Sequence, residues 1–110
     1  MNFDIQITNV SGSGLSRAIT AHVTNKGSTD VHNAWTKAEV FSRGQRITIS
    51  GQEFVRHDIG TINGQTTVIA QATLEFGLFD GLTIMQNGAQ VLLSVCSDEW
   101  TETLTYDYKP

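Results

Sequence analysis

Period-two alternation of apolar and polar residues, broken by short clusters of Gly, Asn, Ser and Asp, most narrows what this chain can fold into. Near the start, Phe3, Ile5 and Ile7 alternate with Asp4, Gln6 and Thr8. Successive side chains of an extended backbone point to opposite faces, so such a run has one apolar and one wet face. It predicts a strand that ends at Ser11-Gly12-Ser13-Gly14, where φ is unrestricted. In the next run Leu15, Ile19, Ala21 and Val23 share a face that Arg17 interrupts, while Ser16, Thr20, His22 and Thr24 share the other.

After the turn-forming Asn25-Lys26-Gly27-Ser28-Thr29-Asp30, Ala34, Ala38 and Val40 oppose Trp35, Lys37, Glu39 and Phe41, so apolar residues stand on both faces. Ser42-Arg43-Gly44-Gln45 predicts a hairpin turn into a strand over residues 46–50, and a short strand is expected near Ile59. Asn63-Gly64 predicts a turn at residues that tolerate positive φ. Beyond it Val68, Ala70, Ala72, Leu74 and Phe76 alternate with Thr67, Ile69, Gln71, Thr73 and Glu75. Residues 77–88 fit neither period; a single helical turn plugging one end of the fold with apolar side chains is expected there, stopped by Asn87-Gly88. Residues 89–97 are the most apolar run and predict a central strand buried on both faces. In the last run Trp100, Leu104, Tyr106 and Tyr108 lie opposite Thr101, Thr103, Thr105 and Asp107.

About eight short strands, with turn signals every ~8–12 residues, predict an all-β fold: an antiparallel two-sheet β-sandwich of the immunoglobulin-like kind with about seven to eight strands. The loop-like stretches 51–58 and 77–88 are expected to carry the chain between sheets. A length of 110 residues suits one domain spanning 1–110.

With 39% hydrophobic and 16% charged residues the chain has the composition of a folded protein rather than a disordered one. A formal charge of −4, from 11 acidic and 7 basic residues, speaks against nucleic acid as a partner, since Arg43 with Arg46 is the largest basic grouping. No run approaches the ~18 apolar residues of a spanning helix, so no direct membrane insertion is expected, and the first residues lack the basic and apolar regions of a secretory leader. The single cysteine, Cys96, sits in an apolar run and reads as a buried thiol.

The residues Ala21 to Ser28, then Val31 and Ala34 to Phe41, then Ile59-Gly60-Thr61-Ile62-Asn63-Gly64-Gln65-Thr66, carry a resemblance. The order of a "V-x-N-x-G" strand end, an alternating strand, a turn and an "I-x-x-I/L-x-x-G-x-T" passage into the next strand resembles a CARDB-type domain. These are cell-adhesion-related modules of bacterial and archaeal surface proteins; FxLYD-type modules share the same grammar. The resemblance covers roughly residues 15–76. It implies a non-catalytic spacer or recognition module of a longer extracellular or cell-envelope protein, with tandem neighbours as partners; no cofactor is expected, and apart from the resemblance, edge strands that pair between chains would give a homodimer through a sheet edge. Pro110 after the last strand fits a stiffened link to a following domain.

Several groups carry chemistry of their own. His22 and His32 lie about equally far from the turn at 27–28, and in a hairpin they would face each other and share a divalent ion with Asp30 or Asp58. Strands in different sheets would instead leave them on separate wet faces. Asp98 and Glu99, with Asp80 elsewhere, are candidate calcium ligands, although their spacing matches no dense ligand loop. His57-Asp58 beside Glu53 are acid–base groups in a polar stretch with no nucleophile nearby in sequence. Trp100, Tyr106 and Tyr108 would form a stacking surface for carbohydrate or protein if they reached solvent together, while Trp35 is expected in the core. Asn9-Val10-Ser11 is a glycosylation sequon. The non-catalytic module is the leading expectation, and a carbohydrate- or metal-binding module the alternative.

Overall fold

Where alternation is strongest, the strands are longest. A computed structural model describes residues 3–12 and 14–109. Its elements are β1 (Phe3–Ser11), β2 (Ser16–Asn25), β3 (Val31–Ser42), β4 (Gln45–Ile47), β5 (Val55–Ile62), β6 (Thr67–Glu75), α1 (Leu78–Asn87), β7 (Ala89–Cys96) and β8 (Thr101–Tyr108). β1-β2-β6 form a three-stranded sheet, and β3, β4, β5, β7 and β8 a five-stranded one, in which β4 and β5 both flank β3. All pairings are antiparallel. The two sheets face each other as the expected sandwich, 44 Å in its long dimension.

The inward face of each strand follows from its pattern. Ile19, Ala21 and Val23 of β2, Ala38 and Val40 of β3, Ala70 and Leu74 of β6, and Val91, Leu93 and Val95 of β7 are buried between the sheets. Each large aliphatic among them contributes ~1.5–3 kcal/mol by leaving water. A second cluster of Phe3, Val23, Val31, Ala34, Ile62 and Val95 closes the end that carries the 26–30 loop.

The hairpin at Arg43 and Gly44 forms as predicted, with φ of 54° and 77°, the paired left-handed residues that match strand twist. Elsewhere the chain departs from expectation. Residues 51–58 do not cross between sheets: β5 begins at Val55 and lies against β3. The crossing comes later, at residues 63–66, and the left-handed residue there is Gln65, φ 60°, rather than Asn63 or Gly64. Gly64 is required for closeness instead, because a Cβ on it would lie 2.6 Å from the backbone carbonyl of Ser28. Residues 77–88 do cross between sheets, but as the ten-residue α1, capped at Gly88 by its N–H to the Ile84 carbonyl. Only Gly81 and Ile84 of α1 are buried; Leu78, Phe79, Leu82 and Met85 are exposed, so the expected apolar plug is reduced to Ile84. Trp35 and Cys96, both expected in the core, lie paired on the outer, partly exposed face of the five-stranded sheet. Ser13 and Pro110, to which a flexible turn and a stiffened link were assigned, lie outside the described residues.

Candidate functional site

A polar cluster forms where the start of β3 meets the β7–β8 turn. Asn33 adopts φ 55° at an irregularity in the β3–β5 pairing, which turns His32 and Asn33 toward that turn. The backbone N–H of His32 donates to Glu99 Oε1 at 2.8 Å, and His32 Nδ1 lies 2.9 Å from Glu99 Oε2. Asn33 Nδ2 donates to Asp98 Oδ2 at 2.6 Å, and the Asp98 N–H to the His32 carbonyl at 3.0 Å. The hydrogen bond to Glu99, then the charge of Glu99, with smaller contributions from Asp30 and Asp98, raises the pKa of His32; the same bond lowers that of Glu99. Both are solvent-exposed, so this is a surface latch whose carboxylate oxygens already accept from protein donors.

The other metal candidate, His22, lies on the outer face of the three-stranded sheet between Gln6 and Ile69, so the two histidines sit in different sheets. Asp80 is on α1, at the opposite end from Asp98. Among the described residues, no three His, Cys, Asp or Glu side chains gather as a metal centre would need. His57 and Asp58 are neighbours on β5 and therefore point to opposite faces; Asp58 accepts from Arg56 Nε at 2.9 Å.

The aromatic candidates divide in the same way. Trp100 belongs not to β8 but to the turn before it, 44% exposed, with Ser97 Oγ accepting its backbone N–H. Tyr106 and Tyr108 lie at the other end of β8 and pack on the core; Tyr108 Oη accepts from Arg17 Nε at 3.1 Å. Asn9 is exposed on β1 where the pairing with β2 shifts.

Sequence reasoning missed the outer face of β3. There the Arg56 guanidinium sits 4.1 Å from the Trp35 ring centre, Lys37 Nζ 4.9 Å from that of Phe54, and the Arg46 guanidinium 4.8 Å from that of Phe41. Glu39 lies between the cations, 3.7 Å from Lys37 and 2.8 Å from Arg46. The alternate residues Trp35, Lys37, Glu39 and Phe41 were the available signal, since an outward row of aromatics and charges invites cations from neighbouring strands.

Comparison with known families decides what this arrangement is. A family model described as the archaeal immunoglobulin-like domain matches residues 3–109. The chain belongs to that family. No curated protein matches the sequence. As an archaeal immunoglobulin-like domain it superposes on a late embryogenesis abundant (LEA) protein with TM-score 0.59 at 11% identity, covering 98% of this chain and 68% of that one. It is similar to β-glucosidase 3B from Thermotoga neapolitana with TM-score 0.57 at 16% identity, covering 98% of this chain but only 17% of the enzyme. A protein from Archaeoglobus fulgidus gives TM-score 0.51 at 9% identity, with 97% and 90% covered. At these identities the shared feature is the sandwich alone, and the family is one of generally non-catalytic modules.

Proposed function

We propose that this archaeal immunoglobulin-like domain is a spacer and protein-interaction module of an exported or cell-surface polypeptide, used as CARDB-type modules are and joined to other domains. The observation that carries the reading is the path of the chain. Phe3 pairs with Asn25 at the end that bears the 26–30 loop, and Tyr108 pairs with Ala89 beside α1, so the backbone enters and leaves at opposite ends of a 44 Å long axis. Domains joined in this way extend a polypeptide instead of folding it back. The apolar surface of α1 near the exit, with Phe79 82% exposed, adds support for contact with a neighbouring domain. That the same sandwich makes up a small fraction of the β-glucosidase chain is in keeping with a module built into longer proteins.

Two copies of the chain joined head to tail test the reading by small-angle X-ray scattering. The maximum dimension is expected to grow by about the 44 Å long axis over a single copy. A side-by-side particle no longer than one copy would reject it. Titration with calcium, zinc and oligosaccharides, followed by backbone amide NMR, tests the rival reading. Saturable shifts around Glu99 or Trp100 would make this a ligand-binding module instead.

A further inference from the structure

A β-sandwich leaves four sheet edges, and exposed edges in natural proteins are blunted by bulges, charges, proline or a covering segment. Three edges here carry such devices. β1 is irregular between Ile7 and Asn9 and bears Asp4. The β4–β5 edge is interrupted between its two strands, its β5 pairing is irregular, and it presents Arg56, His57 and Asp58 in succession. β8 carries Glu102 and Asp107.

Over residues 67–74 β6 has none of them. It pairs with β2 without a register shift from Ser16↔Glu75 to Thr24↔Thr67, and from Thr67 to Leu74 it contains no charge, proline or glycine. Its outer face is Thr67, Ile69, Gln71 and Thr73, all exposed, with Ile69 at 63%. One end of its far side is occupied, since the Glu75 carbonyl accepts from the Ser50 N–H at 2.8 Å. Among the described residues, no strand other than β2 pairs with it.

We infer that the free edge of β6, residues 67–74, pairs antiparallel with the same edge of a second copy of this chain, joining two three-stranded sheets into one across a two-fold axis. This deepens the interaction-module reading and rests on it. A second copy is the occupant that this uncharged edge admits. Each chain carries −4, so two copies repel, and they approach at least cost along an edge where no acid meets its symmetry mate. The segment is also self-complementary. Centred on Ala70, an antiparallel pair sets Thr67 against the partner strand's threonine three residues past the centre, and Val68 against alanine. Ile69 then lies against the glutamine amide and its methylenes on a face now in water.

Sedimentation from about 1 μM to about 1 mM tests this with two matched variants. The doubly substituted I69K/Q71K places lysines at exposed β6 positions, where pairing about the axis brings like charges together. T103K/T105K makes the same change on β8. The unaltered chain is expected to show a concentration-dependent dimer that I69K/Q71K weakens by at least about tenfold and T103K/T105K leaves in place. Amide exchange should slow with concentration only within 67–74, while circular dichroism reports that both variants remain folded. A monomer throughout, a dimer that survives I69K/Q71K, equal loss in both variants, or protection in another strand would each overturn the inference. A purely monomeric chain would leave the spacer reading standing, because that reading fails on the scattering length of the joined copies.

Discussion

Asn25, the last residue of β2, donates through Nδ2 to the carbonyl of Ile62, the last residue of β5, at 3.1 Å, and so ties the three-stranded sheet to the five-stranded one. The same amide donates to the Thr29 carbonyl at 2.8 Å, and Oδ1 accepts from the Gly27 N–H at 3.0 Å. Asn25 is 1% exposed, and with these bonds each side-chain atom of the amide has a partner where water has little access. This gives the asparagine of "V-x-N-x-G" a physical meaning: the side chain takes the place of a ladder partner where the chain passes from one sheet to the other. Asn25→Ala orphans two carbonyls and one N–H, and is expected to destabilise the fold by about 2–4 kcal/mol. Urea unfolding should show a lower midpoint with an unchanged slope; a loss within ~0.5 kcal/mol would mean that the loop repacks without the tie.

Two glycines offer a contrast in how space is filled. A Cβ at Gly64 meets the Ser28 carbonyl and the Thr29 nitrogen, backbone atoms fixed by the Gly64 N–H to Asp30 Oδ1 bond and the Gln65 N–H to Gly27 carbonyl bond. Gly64→Ala is therefore expected to cost about 1–3 kcal/mol. A Cβ at Gly81 meets only the side chain of Leu15, which is partly exposed and free to turn away. Gly81→Ala should gain up to about 1 kcal/mol from helix propensity. Thermal unfolding of the two variants should move in opposite directions, and a shared sign would refute this reading of the contacts.

On the outer sheet face, Arg56 covers Trp35 while its Nε holds Asp58. The Arg56 side chain is about half exposed, which places the contact at the weak end of cation–π pairs. Arg56→Ala is expected to cost about 0.5–1 kcal/mol and to shift tryptophan emission to the red as the Trp35 ring meets water. Unchanged emission from Trp35 in a Trp100→Phe background would show that the ring is not covered in solution.

Legibility in the sequence followed burial. β2 and β3 could be placed because one face of each is buried and the other wet, which writes the period of two directly. Of β5 only a short strand near Ile59 could be read, since Arg56, His57 and Asp58 of this edge strand are exposed in succession and leave no alternation at its start. α1 was shortened to one turn because only Gly81 and Ile84 are buried, too few to mark a helical stripe. Trp35 went to the wrong side because β3 has apolar residues on both faces. Side-chain size favoured burying tryptophan, whereas the gap between the sheets is filled there by Ala34, Thr36 and Ala38. The latch of His32 and Glu99 joins residues 67 apart, and their pairing becomes visible only once β3 and β7 are set in register.

That latch predicts how stability follows pH. Held by its hydrogen bond to Glu99, and by the charge of Glu99, His32 binds its proton more tightly in the folded chain than at its usual 6.5. Its contribution is complete below 6.5 and is lost as pH rises through the raised folded value. Glu99, held by the His32 side chain and then its backbone N–H, is lowered from its usual 4.5. It contributes above 4.5 and loses that contribution as pH falls through the lowered folded value. The two windows overlap between 4.5 and 6.5, where the pair stabilises the fold most. The melting-temperature difference between the native chain and Glu99→Gln should therefore peak in that interval and shrink above it. Its amplitude should be small, because both groups are in solvent and the attraction is screened. The residue-level check is the NMR titration of the His32 ring, whose midpoint should fall toward 6.5 in Glu99→Gln. A midpoint that stays in place would show that Glu99 does not hold the proton, leaving its bond to the His32 backbone N–H as its part in the latch.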